Sequence, residues 1–239
     1  MYFWKCWRDT RATFFSFLGA ILAVGAFGAY VALDPFGWVA AKPLDSRILW
    51  QVSSRALLGV LLEMVPVAGL FLGALGMGME FEKGTADFLL TRPRARGYFL
   101  WAGWGVGAAQ MAALVLASHV VQLTGSDPYR YDSLWGFARS LAALGTLALL
   151  FYSMTYLMTT LAGNSRHGIA LTLGVFTGYE GLWAWLRFWY DINIPFFFDL
   201  WQAASPTSTS SLLPLVAGWL AVCLAMMLAA QFSFERAET

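Results

Sequence analysis

The chain has 239 residues, of which 59% are hydrophobic and 12% are charged, and its mean hydropathy is +0.61. Soluble globular domains carry about 25% charged residues, so this composition excludes an ordinary soluble domain and indicates an integral membrane protein. The 15 Lys and Arg against 14 Asp and Glu leave a net charge of +1, which gives no sign of nucleic-acid binding.

The N-terminal segment combines aromatic side chains with cations. Residues 2–12 contain Lys5, Arg8 and Arg11, which predicts a short amphipathic helix in the membrane interface; a plain charged flank is the alternative. Residues 13–33 follow as the first apolar span, because about 20 residues cross ~30 Å of hydrocarbon. No small-residue cleavage pattern follows, so we expect the segment to be retained.

Five further apolar stretches predict spans over about residues 57–79, 98–123, 134–163, 168–187 and 212–234. In the second span, Gly69 and Gly73 have the spacing that permits close helix contact in lipid, and Pro66 predicts a bend. The aromatic-rich residues 183–211 predict a re-entrant or interfacial outer segment. The expected fold is one all-α transmembrane domain, residues 1–239, with six transmembrane helices.

Lys and Arg are distributed unevenly in this topology. Six crossings place both termini on one side, and nine of the 15 Lys and Arg fall on that side. Because cytoplasmic loops carry an excess of Lys and Arg, we expect both termini in the cytosol.

The loop over residues 80–97, called the coupling loop here, carries the most informative motif. Its sequence contains Glu82-Lys-Gly-Thr85, then Phe88-Leu-Leu90, then Pro93-Arg-Ala-Arg96. Placed directly after a second membrane helix, it resembles the first cytoplasmic loop of ABC-2 type ABC transporter permeases. Ala95 stands where that family usually has Ser. Residues 200–206, Leu-Trp-Gln-Ala-Ala-Ser-Pro, resemble the family's Ser-Pro motif before the final helix.

In that family the loop forms a coupling helix that docks on an ATP-binding cassette ATPase subunit. The residues agree with a short helix, because Thr85 is a good N-cap and Phe88 and Leu89 provide an apolar face for a partner groove. The resemblance implies an interface made of Glu80, Glu82, Lys83, Gly84, Thr85, Phe88, Leu89, Arg92, Pro93, Arg96 and Arg166. The alternative is a surface helix whose cations touch anionic lipid.

The chain has no Gly-x-x-x-x-Gly-Lys-Ser/Thr phosphate loop. We therefore expect no enzyme activity and no cofactor in this chain, with ATP and Mg bound by the partner subunit. His119 and His167 fall on opposite predicted sides, which argues against a metal site, and Cys6 and Cys223 are expected to be structural.

Two acids, Glu63 and Glu180, fall within predicted spans. A carboxylate in hydrocarbon costs about 2.5–3.5 kcal/mol, so it normally faces protein or water. Both lie roughly 9 Å below the outer interface. In the ABC-2 family the second and fifth helices line the path between two protomers, so Glu63 and Glu180 are candidates for the substrate path. The alternative is structural pairing, of Glu180 with Arg187 and of Glu63 with Arg55 or Arg139.

The resemblance implies a permease subunit, an exporter rather than an importer, in a bacterial or archaeal cytoplasmic membrane. Its partners would be the ATPase subunit, a second permease copy or a paralogue, and membrane lipid. Two alternatives remain: a stand-alone secondary transporter, which usually shows internal repeats, and an intramembrane enzyme or sensor scaffold. The substrate is left open.

Overall fold

A computed structural model of the protein describes residues 2–33, 64–84, 96–125, 134–192, 199–200 and 212–236. Within these ranges the regular secondary structure is entirely helical, which confirms the predicted all-α class. The long helices are α1 (Tyr2–Leu33), α2 (Met64–Glu82), α3 (Arg96–Gly125), α4 (Leu134–Ala162), α5 (Ser165–Tyr190) and α6 (Leu212–Arg236).

Five of these helices, α1, α2, α3, α4 and α6, are long and apolar enough to cross a membrane. The chain is therefore built as a multi-pass membrane protein. The remaining helix, α5, has 26 residues, or about 39 Å at ~1.5 Å per residue, but Glu180 and Arg187 make its second half less apolar. The sixth crossing thus stays a prediction.

Helix α1 differs from the expected division into an interfacial helix and a first span. It runs without a break from Tyr2 to Leu33, because residues 2–18 contain neither Gly nor Pro. It packs lengthwise along α3: the rings of Tyr2 and Phe99 lie 4.9 Å apart, and Gly25 faces Val121 much further along both helices. The expectation of a separate interfacial helix over residues 2–12 is therefore wrong.

The helices alternate in direction. Contacts join the start of α1 to the end of α2, the end of α2 to the start of α5, and the start of α3 to the end of α6. We call this end of the bundle, where α1, α3 and α5 begin, the junction end. Helix α1 thus begins at the junction end, and α6 ends there.

Two tyrosines of α4 form the centre of the core. Tyr152 and Tyr156 are fully buried, and their hydroxyls donate to the backbone carbonyl oxygens of Trp104 at 3.2 Å and Leu100 at 3.0 Å. Gly103 and Gly107 leave room for these rings. Gly103 and Gly107 therefore serve helix packing, and α4 is fixed against α3 by hydrogen bonds.

Helices α2 and α4 approach closely at Gly69 and Gly73. A Cβ atom on Gly69 would lie 2.9 Å from the carbonyl oxygen of Ala148, and one on Gly73 would lie 2.5 Å from that of Tyr152. Only glycine permits this backbone contact, which confirms the close packing predicted from the spacing of the two residues.

We predict that Gly73→Ala destabilises the fold by about 1–3 kcal/mol, because the added methyl group meets backbone that cannot move aside. Unfolding in detergent micelles, followed by circular dichroism, measures the change. Gly105→Ala is the matched control: a Cβ there would meet no atom within 4 Å, so its helix should be stabilised by up to about 1 kcal/mol. Equal effects of the two substitutions would contradict the packing assignment.

Candidate functional site

Helix α2 ends at Glu82, inside the coupling loop. Lys83 N–H donates to the carbonyl oxygen of Met79 at 3.1 Å, and Gly84 N–H donates to that of Phe81 at 3.0 Å. Gly84 has a φ of +64°, in the left-handed region that glycine adopts at helix C-termini. Lys83-Gly84 therefore forms the turn that ends α2.

The last turn of α2 is tied to α1 by two ion pairs. Glu80 is only 2% exposed, and both of its carboxylate oxygens accept hydrogen bonds from Lys5 Nζ. One turn further on, Lys83 Nζ lies 3.6 Å from Asp9 Oδ1. Lys5 and Asp9 are four residues apart and Glu80 and Lys83 three apart, so each pair lies on one helix face.

Glu82 joins α2 to the start of α5. Its Oε1 accepts hydrogen bonds from Ser165 N–H at 3.3 Å and from the Ser165 hydroxyl. Asn164 is the N-cap of α5, since its Oδ1 accepts from the backbone N–H groups of Arg166 at 2.8 Å and His167 at 3.3 Å. A carboxylate at a helix N-terminus is also favoured by the helix dipole, so Glu82 holds the start of α5 in place.

The other end of the coupling loop is held by α6. Near the start of α3, Trp101 Nε1–H donates to Gln231 Oε1 at 2.8 Å. The ring of Phe234 also lies 6.3 Å from that of Phe81, near the end of α2. Both ends of the coupling loop are thus attached to the helix bundle. The residues that form the contacts of α2 with α1 and α5 all lie at the junction end; they are Lys5, Asp9, Glu80, Glu82, Lys83 and Ser165.

Positive charge is concentrated at the junction end. Of the nine Lys and Arg in the described part of the chain, seven lie there and two, Arg139 and Arg187, lie toward the opposite end. The seven are Lys5, Arg8, Arg11, Lys83, Arg96, Arg166 and Arg236.

Six of the predicted interface residues are described: Glu80, Glu82, Lys83, Gly84, Arg96 and Arg166. All six are brought together at the junction end. The other predicted positions, Glu63, Thr85, Phe88, Leu89, Arg92 and Pro93, lie outside the described residues. The contacts of Lys5, Asp9, Ser165 and Gln231 with the ends of α2 and α3 were not predicted from the sequence. One feature of the sequence was compatible with these ion pairs: Lys5 and Asp9 are positive then negative, and Glu80 and Lys83 are negative then positive.

Glu180 is an exposed side chain on α5. It does not pair with Arg187, which was the structural alternative for it; the Arg187 guanidinium instead lies 5.1 Å from the centre of the Trp183 ring. Within α5 only Gly168 and Thr172 are buried. Most of the surface of α5, including the Glu180 carboxylate, is therefore not covered by the other helices of this chain.

His119, Cys6 and Cys223 are buried in the described part of the chain. No group of three or more His, Cys, Asp or Glu residues in the described ranges could hold a metal ion. His119 is buried, with Nδ1 2.9 Å from the Val115 carbonyl oxygen and Nε2 3.1 Å from Ser140 Oγ, so it links α3 to α4. Cys6 and Cys223 are buried free thiols.

We predict that Lys5→Met destabilises the protein by about 2 kcal/mol, since it leaves the Glu80 carboxylate buried without its cation. This is below the ~3–5 kcal/mol of a fully buried pair, because the Lys5 side chain keeps 29% of its exposure. The measurement is micellar unfolding monitored by circular dichroism. Adding Glu80→Met should restore most of the loss, whereas exposed Arg8→Met should change stability by less than about 0.5 kcal/mol. If the Lys5→Met, Glu80→Met double variant is no more stable than Lys5→Met alone, the ion pair is not the cause of the lost stability.

Comparison with known proteins assigns no family: no family model matches the chain, and no curated protein matches it significantly.

Proposed function

We propose that this chain is the membrane-spanning permease subunit of an ABC transporter. It would form a substrate path as a dimer with a second copy or a paralogue, and ATP hydrolysis in a separate ATP-binding subunit would drive it. The observation that carries the proposal is the attachment of the coupling loop. Its α2 end is bonded to α1 and α5, and its α3 end to α6.

A loop attached in this way suits force transmission. A displacement of residues 85–95 by a partner would act on α2 and α3 directly. It would reach α1 through Lys5–Glu80 and Lys83–Asp9, and α5 through Glu82–Ser165. A loop that only lay on lipid would not require charged contacts to both α1 and α5. One of these contacts, Lys5–Glu80, involves a buried carboxylate.

The predicted interface residues divide into two roles under this proposal. Glu80 is buried against Lys5, so it braces the loop instead of touching the partner. Glu82, Lys83 and Arg166 are exposed and are available to the ATPase subunit, together with the predicted apolar contacts of Phe88 and Leu89.

The charge distribution supports a cytosolic position for the junction end. Seven of nine described Lys and Arg lie there, as expected for the cytoplasmic ends of transmembrane helices. Both termini would then be cytosolic, and the membrane would be the cytoplasmic membrane of a bacterium or archaeon, as the resemblance implies. The direction we propose is export.

The exposed surface of α5 supports a dimer. Glu180 lies on this surface without an ion pair to any described residue, and an uncovered carboxylate in hydrocarbon costs about 2.5–3.5 kcal/mol. A second permease chain facing α5 would enclose Glu180 in a polar path between the protomers. Glu63, in the second predicted span, would line the same path.

We predict that Phe88→Asp combined with Leu89→Asp abolishes binding of the ATPase subunit, because two carboxylates cannot enter an apolar groove without a large desolvation cost. The chain is co-expressed with candidate ATP-binding cassette ATPase subunits from the same genome and purified in lipid; co-purification and ATP hydrolysis are measured. Wild type should retain the ATPase, and the variant should lose both the partner and its activity.

The matched control places the same two charges elsewhere, as Ala237→Asp with Thr239→Asp in the C-terminal tail, and should leave binding intact. If no ATPase associates with the wild-type chain, the permease proposal fails and the secondary-transporter and enzyme alternatives return.

We predict that a cysteine in place of Glu180 cross-links two permease chains. In a background of Cys6→Ser and Cys223→Ser, Glu180→Cys should give a dimer band with a short bis-maleimide reagent in native membranes, since α5 would face its counterpart. Leu116→Cys is the control, because Leu116 is an exposed side chain on α3, away from the proposed dimer face. Cross-linking at Leu116 and not at Glu180 would place the dimer contact elsewhere.

A further inference from the structure

A groove of about 580 Å³ lies between the first half of α1 and α3. Helix α1 supplies four aromatic rings, those of Phe3, Trp4, Trp7 and Phe14, and α3 supplies mainly small side chains together with Gln110. Trp4 is 65% exposed and Phe3 is 50% exposed. The groove thus opens on the side of the bundle, and its walls are predominantly apolar.

One residue that lines the groove, Gln110, has a buried polar atom without a hydrogen-bond partner in the described part of the chain. The Thr10 hydroxyl donates its hydrogen to the Cys6 carbonyl oxygen at 2.9 Å, so it can only accept from Gln110, whose Nε2 lies 2.9 Å away. This fixes the orientation of the Gln110 amide. Its Oε1 is buried without a hydrogen-bond partner in the described part of the chain.

An unmet acceptor of this kind is costly in an apolar setting. Gln110 is only 2% exposed, so bulk water does not satisfy it. Because Gln110 lines the groove, a ligand there that carries an O–H or N–H donor would supply the missing hydrogen bond.

A positive charge adjoins the groove. Arg11 follows Trp4 and Trp7 at helical spacings of seven and four residues and precedes Phe14 by three, so all four lie on one face of α1. Arg11 is exposed and makes no ion pair with the described carboxylates. Arg8 lies off this face, and its Nε is 4.0 Å from Asp9 Oδ1.

The depth of the groove in the bundle matches lipid headgroups. Trp101 and Trp104 of α3, whose rings lie 5.8 Å apart, sit at the same end of the bundle as Trp4 and Trp7. Tryptophan is enriched at the level of membrane headgroups, and the apolar part of α1 continues beyond Arg11. A ligand entering from the side would come from the bilayer.

We propose that this groove binds one anionic phospholipid whose headgroup carries a hydroxyl. Arg11 binds the phosphate, Gln110 Oε1 accepts a hydrogen bond from the headgroup hydroxyl, and an acyl chain lies against Phe14 and Ala113. A phospholipid fits better than a soluble anion, because the groove is apolar and opens laterally. The site does not depend on the proposed transport function.

The test is native mass spectrometry of the purified full chain with three lipids of identical acyl chains. Phosphatidylglycerol has the charge and the hydroxyl, phosphatidylmethanol has the charge alone, and phosphatidylcholine has neither. Wild type should retain phosphatidylglycerol roughly three- to tenfold better than phosphatidylmethanol, the effect of one buried hydrogen bond. Gln110→Leu should abolish that difference and keep the preference of both over phosphatidylcholine.

Arg11→Gln should lower retention of both anionic lipids roughly fivefold, the effect of one cation near the headgroups. Arg8→Gln is the matched control and should have no such effect. Equal retention of phosphatidylglycerol and phosphatidylmethanol by wild type overturns the proposal, and this comparison requires no variant to fold. A preference that survives Gln110→Leu, or equal effects of Arg11→Gln and Arg8→Gln, also overturns it and indicates annular lipid only.

Discussion

The arrangement of this protein depends on the pairing of a buried carboxylate. Glu80 lies in the last turn of α2 with almost no exposure, and a charge in that position is tolerated only with a cation and hydrogen bonds around it. Lys5 meets that requirement from the start of α1. The pair therefore fixes how α1 stands against α2, and the Lys83–Asp9 contact repeats the constraint one turn later.

Polar contacts organise the rest of the bundle as well, because lipid gives helices little hydrophobic reason to associate. The hydroxyls of Tyr152 and Tyr156 bond to backbone of α3, and Gly69 and Gly73 bring α2 into backbone contact with α4. Trp101–Gln231 joins α3 to α6. These contacts join α3 to α4, α2 to α4 and α3 to α6.

Among the described residues, the exposed surface of α5 and the groove between α1 and α3 differ in chemistry. Most of α5 is exposed and carries Glu180, which favours a protein neighbour with a polar path between the chains. The groove between α1 and α3 is aromatic, with one buried acceptor and a cation beside it, which favours a lipid. The proposed dimer contact and the proposed lipid site therefore lie on different helices.

The linear pattern of residues was enough to predict the helical class, the approximate spans over 98–123, 134–163 and 212–234, and the close approach at Gly69 and Gly73. These features follow from local hydropathy and residue size, which a linear pattern records. Three features depend on how the helices pack: residues 2–12 continue the first span along α3, Lys5 meets Glu80, and Gln110 Oε1 has no partner in the described part of the chain. Lys5 and Glu80 are 75 residues apart, and their meeting depends on the register between helices, which the opposite charge order of Lys5/Asp9 and Glu80/Lys83 does not fix by itself.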